Sequence, residues 1–381
     1  MTTGNEALAM PNSGSPTSNG SLGNLTLIQL MLAVAVVLHH AIILGSGEHV
    51  FALDVFFGEK GDNLGMFSVN AFFVLSGYML YRSAEKDGGG IWSFFGYFAK
   101  RLSRIFPGVL LSTLMAIFVI GPIFTTQELS WYFESQGTWT YLQNLLLFVR
   151  PPTALPGVFD GNRFPSVVNG VSWMIPWLMW CYALFGVALL LKMHRNAWLV
   201  GMLTMAALYG AEMAHGISPT VMFCGIYVHT GLGPVAHFVI GWALCLFRDR
   251  IRFDWRVALA LFATLLLWFR SDASALMGAV ILGYSVCTFC FFTRELLIAG
   301  GLPRIHFEIF LTGFMVQQGF VSLHGGKMGH WLNFSESLAV TIPLAFAMHA
   351  VVVPLSQWIR GGLLALIGRT SGGGAESPDV T

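Results

Sequence analysis

The sequence predicts an all-α fold, a polytopic membrane bundle of about ten transmembrane helices, from three observations. Hydrophobic residues make up 55% of the 381 and charged residues only 10%, and the mean hydropathy is +0.68, well beyond what a soluble domain needs to fill its core. The apolar residues are gathered into runs of the length that crosses a bilayer. The Lys and Arg residues stand in short clusters between those runs. With a net charge of +1 the chain offers no basic face, which argues against nucleic-acid binding.

The first run, Leu25 to Leu44 (LTLIQLMLAVAVVLHHAIIL), carries Gln29 near its start and His39 and His40 near its end. Eleven helical steps return His40 to within about 20° of Gln29, roughly 16 Å along the axis, while His39 points about 100° away. Before this run, residues 1–24 are rich in Thr, Ser, Asn and Gly, with no positive charge and no apolar core, and read as a disordered tail and not a signal peptide. Further runs cover Leu64–Tyr81, Ile105–Thr125, Trp173–Leu191, Ala197–Met213, Gly231–Phe247, Val257–Phe269, Ala273–Phe292, Phe307–Leu323 and Leu338–Ile359. Val257–Phe269 is short for a span, and Tyr141–Val149 is shorter still and reads as a surface or re-entrant segment. Residues 25–366 form the membrane domain, and 367–381 are a second disordered tail rich in Ser and Gly.

Alternate loops set the orientation. With a cytoplasmic N-terminus, only Lys60, Arg150, Arg163, Arg270 and Lys327 of the 20 basic residues fall outside. Both termini are therefore expected in the cytoplasm. Five cysteines with no framework spacing argue against a disulfide scaffold, and Cys287 with Cys290 read as packing residues. The remaining histidines form no metal-ligand set, and there is no Gly-rich phosphate loop or nucleophile elbow.

Four stretches carry candidate chemistry. Val69 to Tyr78 (VNAFFVLSGY) places Gly77 after Ser76, which suits close helix packing. Phe95 to Pro107 (FGYFAKRLSRIFP) sets Arg101 and Arg104 three apart on one face at the inner mouth, where they either hold phosphates or serve as ordinary positive-inside anchors. Leu155 to Phe159 (LPGVF) is followed by Asn162, Pro165, Val168-Asn169-Gly170 and Ser172-Trp173. Phe314 to Gln318 (FMVQQ) lies in the ninth run.

In order and spacing, these stretches resemble the membrane-bound acyltransferase family 3, bacterial enzymes that O-acylate glycans, and the resemblance runs from Leu25 to about Trp358. It implies an acyl-CoA donor, acetyl-CoA above all, and a glycan or lipid-linked sugar acceptor at the outer face of a bacterial inner membrane. In that scheme His40, with His39 beside it, is the catalytic base, since imidazole can take a hydroxyl proton near neutral pH. Arg101 and Arg104 would hold the CoA phosphates, Gln29 would line the passage, and Asn169, Ser172 and Trp173 would shape the acceptor mouth. The bland reading of the two histidines, as interfacial residues bonded to loops, remains open.

The chain departs from the family pattern at Met315, where proline is usual, and at His306-Phe307-Glu308, where Ser-Tyr-Gly is usual. Three further departures, at polar positions, favour a loss of chemistry. Gln29 stands where the first helix of the family has arginine, Leu178 where an acidic residue follows the tryptophan, and Val352 where the last span is acidic. If the fourth span enters from outside at Trp173, residue 178 should lie at roughly the depth of His40. Glu308 is expected to pair with Arg304 at the inner surface. The rival function is a catalytically degenerate relative acting in glycan export or as an assembly partner.

Overall fold

A computed structural model of the chain describes residues 24–45, 64–268, 275–297 and 299–368. The two tails expected at 1–24 and 367–381 lie almost wholly outside these residues. Each of the ten apolar runs is a helix: α1 Leu25–Leu44, α2 Leu64–Ala84, α3 Ile91–Phe124, α4 Met174–Leu190, α5 Ala197–Met213, α6 Val228–Leu246, α7 Trp255–Trp268, α8 Ala275–Cys287, α9 His306–Leu323 and α10 His330–Leu366. Five of them, α1, α2, α3, α6 and α10, are long and apolar enough to cross a membrane by themselves, while α4, α5 and parts of α7 and α8 are shorter apolar helices. At 14 residues, α7 rises only about 21 Å.

Two helices differ in extent from the expected runs. α3 starts at Ile91, directly after the breaker Gly88-Gly89-Gly90, and nothing interrupts it before Pro107, so the double-arginine stretch sits inside a continuous helix and not in a loop. A π-helical turn at Ala116–Ile120 carries it on to Phe124. α10 runs 37 residues with Pro343 and Pro354 inside it. The stretch expected to be a surface or re-entrant segment holds a 3₁₀ turn, Tyr141–Leu146, with Tyr141 and Asn144 buried.

The tightest helix pair is α2 with α6. A Cβ at Gly77 would collide with the Phe238 carbonyl, and one at Gly241 with the Val74 carbonyl, so the two backbones approach reciprocally through glycine. The SG of FFVLSG is thus a packing device. α1 packs on α9 and α10 through Ala33, Val37, Ile305, Ile309 and Ala345. At one end of the α2–α6 pair, Glu85 accepts a hydrogen bond from Arg248 at 2.6 Å, and this carboxylate pushes the Arg248 guanidinium above its ordinary value. Between α5 and α6, Met222–Phe223 and Ile226–Tyr227 form a small antiparallel hairpin.

Candidate active site

Residues of α1, α2, α3, α4 and α9 line a partly open cavity. Its polar lining is Gln29, Ser76, Arg101, Arg104, Tyr182 and His306, and the rest is apolar, including Phe72, Phe73, Leu75, Met174, Leu178 and Phe310. No carboxylate is among these lining residues. Two guanidinium groups on a largely apolar wall suit an anionic group carried on an apolar chain.

Arg101 is held by its surroundings. Its Nη2 donates to Ser83 Oγ at 2.9 Å, and the guanidinium lies 5.9 Å from the Tyr97 ring centre and 6.0 Å from that of Tyr182. The Tyr97 hydroxyl in turn donates to the Tyr182 carbonyl at 3.0 Å, tying α3 to α4 at this point. Arg104, one turn on, lines the same cavity.

His39 and His40 lie elsewhere, on the same helix as Gln29 and about 16 Å further along it. His40 meets Phe314 edge-on, with ring centres 5.0 Å apart, and His39 is buried against Gly65 of α2. Neither lines the cavity.

The segment before α4 explains what stands between the two places. Asn162 Nδ2 donates to the Gln318 carbonyl and to Gln318 Oε1, both at 2.8 Å, while Gln318 Nε2 returns bonds to the carbonyls of Phe164 and Val167 at 3.0 and 2.8 Å. Arg163 Nη1 donates to the Gly45 carbonyl at 3.0 Å, fixing the segment to the end of α1. The chain then descends: Asn169 Nδ2 donates to the Leu311 carbonyl at 3.0 Å, and Gly170 lies on the Phe314 ring. Leu311 is twelve residues, about 18 Å, below the end of α9 at Leu323. α4 therefore begins deep in the bundle.

This descent changes where three expected residues stand. Leu178 lies in the cavity with Gln29, Arg101 and Arg104, and not beside His40 as a helix entering from the surface would place it. Asn169 spends its amide on the α9 backbone, with its Oδ1 accepting from the Val171 N–H at 3.3 Å. Ser172 is buried and Trp173 half-buried, immediately before Met174 of the cavity wall. The FMVQQ stretch is a hub of the same construction, since Gln317 Nε2 donates to the Val37 carbonyl of α1 at 2.7 Å.

Two lining residues escape the sequence reading. Tyr182 follows Leu178 by four residues, so the helical period could have found it once Leu178 was placed. His306 opens α9 where the family pattern has serine, a departure that by itself names no role. Nearby, Glu308 is 3% exposed and its Oε1 lies 2.7 Å from His349 Nδ1, which gives it a partner on α10. Val352 is buried one turn beyond His349. Among the described residues, no group of three or more His, Cys, Asp or Glu could hold a metal ion.

The profile of a family described as "Acyltransferase domain" matches residues 22–372. An O-acetyl transferase of Shigella phage Sf6 is 24% identical over 176 residues, which is 46% of this chain and 48% of the relative. The chain thus spans about half the length of this curated relative. No solved structure matches it.

Proposed function

The chain belongs to the acyltransferase domain family, and from that premise we propose that it moves an acetyl group from a cytoplasmic acyl-CoA to a hydroxyl of an envelope or extracellular glycan. The observation that carries this reading is the joint cavity of Arg101, Arg104 and Gln29, with His40 further along the helix that bears Gln29. Arg101 and Arg104 hold the CoA phosphates at one end, and the acyl arm runs along the apolar wall past Phe73, Phe310 and Met174. His40, with His39 beside it, lies outside this lining, about 16 Å along α1 from Gln29, and in this reading takes the proton of the acceptor hydroxyl once the acyl arm has reached past the cavity. The oxygen bonds to the thioester carbonyl carbon, the C–S bond breaks, and CoA leaves as the thiol after taking up a proton. Ser172 and Trp173 line the acceptor's approach, and Asn169 holds that segment in place.

In this reading the protein lies in a bacterial inner membrane, among lipid, with both termini in the cytoplasm, and the acceptor is a glycan or lipid-linked sugar. The phage relative carries the name of an O-acetyl transferase, which supports acetyl as the group moved.

The test is release of CoA from acetyl-CoA by detergent-purified protein with envelope glycans. His40→Ala should lower turnover by about two to four orders of magnitude, the usual contribution of a general base. Arg101→Ala with Arg104→Ala should raise KM for the donor. One observation favours a second reading, a degenerate relative serving glycan export. Leu178 leaves the cavity without the acidic group expected of that position. Wild-type release no faster than that of His40→Ala, while an active relative turns over in the same assay, would sink the enzyme reading for these substrates and favour export.

A further inference from the structure

One imidazole lines the cavity, and it belongs to His306. The residue is 8% exposed and opens α9 with its ring parallel to Phe72, centres 6.1 Å apart, and Phe72 is itself part of the wall. His306 Nδ1 is buried and has no hydrogen-bond partner within the protein. An unpaired ring nitrogen inside a membrane bundle is costly to keep unless something else pairs with it.

The local charges indicate what that partner is. Arg104 lines the cavity with His306, and Arg304 precedes it by two residues. The nearby carboxylate, Glu308, is two positions on and so about 200° around the helix, where it meets His349 of α10. Arg104 and Arg304 are the cations close to His306, while Glu308, close enough to Arg104 to act on it, is already bonded to His349, so an imidazole N–H here finds its complement in an anionic oxygen.

We propose that His306 is a third ligand of the anion-binding end of this cavity, donating its N–H to a phosphate oxygen of the acyl carrier held by Arg101 and Arg104. The proposal rests on the reading that the cavity takes the phosphates of an acyl-CoA, and it adds a third residue to that site. An acyl pantetheine without phosphate would enter the same passage but gain nothing from His306.

Binding to the full-length protein in detergent, measured by calorimetry with CoA, pantetheine and inorganic pyrophosphate, tests this directly. His306→Leu should weaken CoA about tenfold, the effect of one hydrogen bond to a charged group, and leave pantetheine unchanged. His306→Asn places an amide N–H near the lost Nδ1 and should recover most of the CoA affinity. Pyrophosphate should compete with CoA, and its competition should weaken in His306→Leu. A His306→Leu protein that melts like wild type and binds CoA equally well overturns the proposal, as does an equal loss for CoA and pantetheine. Arg101→Ala with Arg104→Ala separates the two levels: if that variant binds CoA as wild type does, the donor reading itself fails, and if it loses CoA while His306→Leu does not, only the role of His306 fails.

Discussion

At the scale of single residues, the cavity brings together two positions far apart in sequence, Gln29 on α1 and Leu178 on α4. Neither is ionised, and the wall they share already holds two guanidinium groups. Gln29→Arg would add a third cation to a cavity whose lining holds no carboxylate, and it should lower the unfolding temperature of the donor-free protein in detergent. Leu178→Glu supplies the missing anion to the same space. In its background Gln29→Arg should cost less or become stabilising, with a coupling of about 0.5–3 kcal/mol between the two changes. Strictly additive effects would mean that the two side chains do not share a site. Gln29, Arg101 and Arg104 could be picked out from charge and spacing alone, because a polar residue in an apolar run is rare. His306 could not, because only the three-dimensional placement of α9 beside α3 gives it a chemical setting.

At the scale of helices, the α2–α6 pair depends on two glycines that meet carbonyl groups of the opposite backbone. Replacing glycine by alanine in an exposed helix gains roughly 1 kcal/mol of helix propensity. At Gly77 and Gly241 that gain is outweighed, since a backbone carbonyl cannot rotate away as a side chain can. Gly77→Ala and Gly241→Ala should each destabilise by about 1–3 kcal/mol, whereas Gly201→Ala on α5, where no atom lies within 4 Å of the new methyl, should be neutral or slightly stabilising. Thermal unfolding of the three variants in one detergent checks this, and equal behaviour at Gly77 and Gly201 would remove the close-approach argument. Each of the ten helices coincides with an apolar run of the sequence, and five of them have the length and hydropathy of a helix that satisfies its own backbone in lipid. The descent of the segment before α4 was not legible in the sequence, because its polar bonds, Asn162 to Gln318 and Asn169 to Leu311, join residues more than 140 positions apart. That descent is what moves Leu178 into the cavity.

At the scale of the whole molecule, the orientation proposed from the basic residues has a direct consequence for one thiol. Cys181, Cys245, Cys287 and Cys290 are buried, and Cys224 is exposed in the turn of the hairpin between α5 and α6. Counting helices from a cytoplasmic N-terminus, α5 runs outward and α6 returns, so this turn faces the outer side. The unmodified protein is thus its own single-site topology probe. A membrane-impermeant maleimide applied to right-side-out vesicles should label the wild type at one site, and Cys224→Ser should abolish the signal. Labelling only after the vesicles are opened would place Cys224 on the cytoplasmic side and invert the bundle. The same result would reach the chemistry, because Gln29 would then lie toward the outer leaflet and His40 toward the cytoplasm. A cytoplasmic donor entering at Arg101 and Arg104 requires Cys224 outside, so a labelling experiment on an uninvolved turn tests the direction of acyl transfer without assaying turnover.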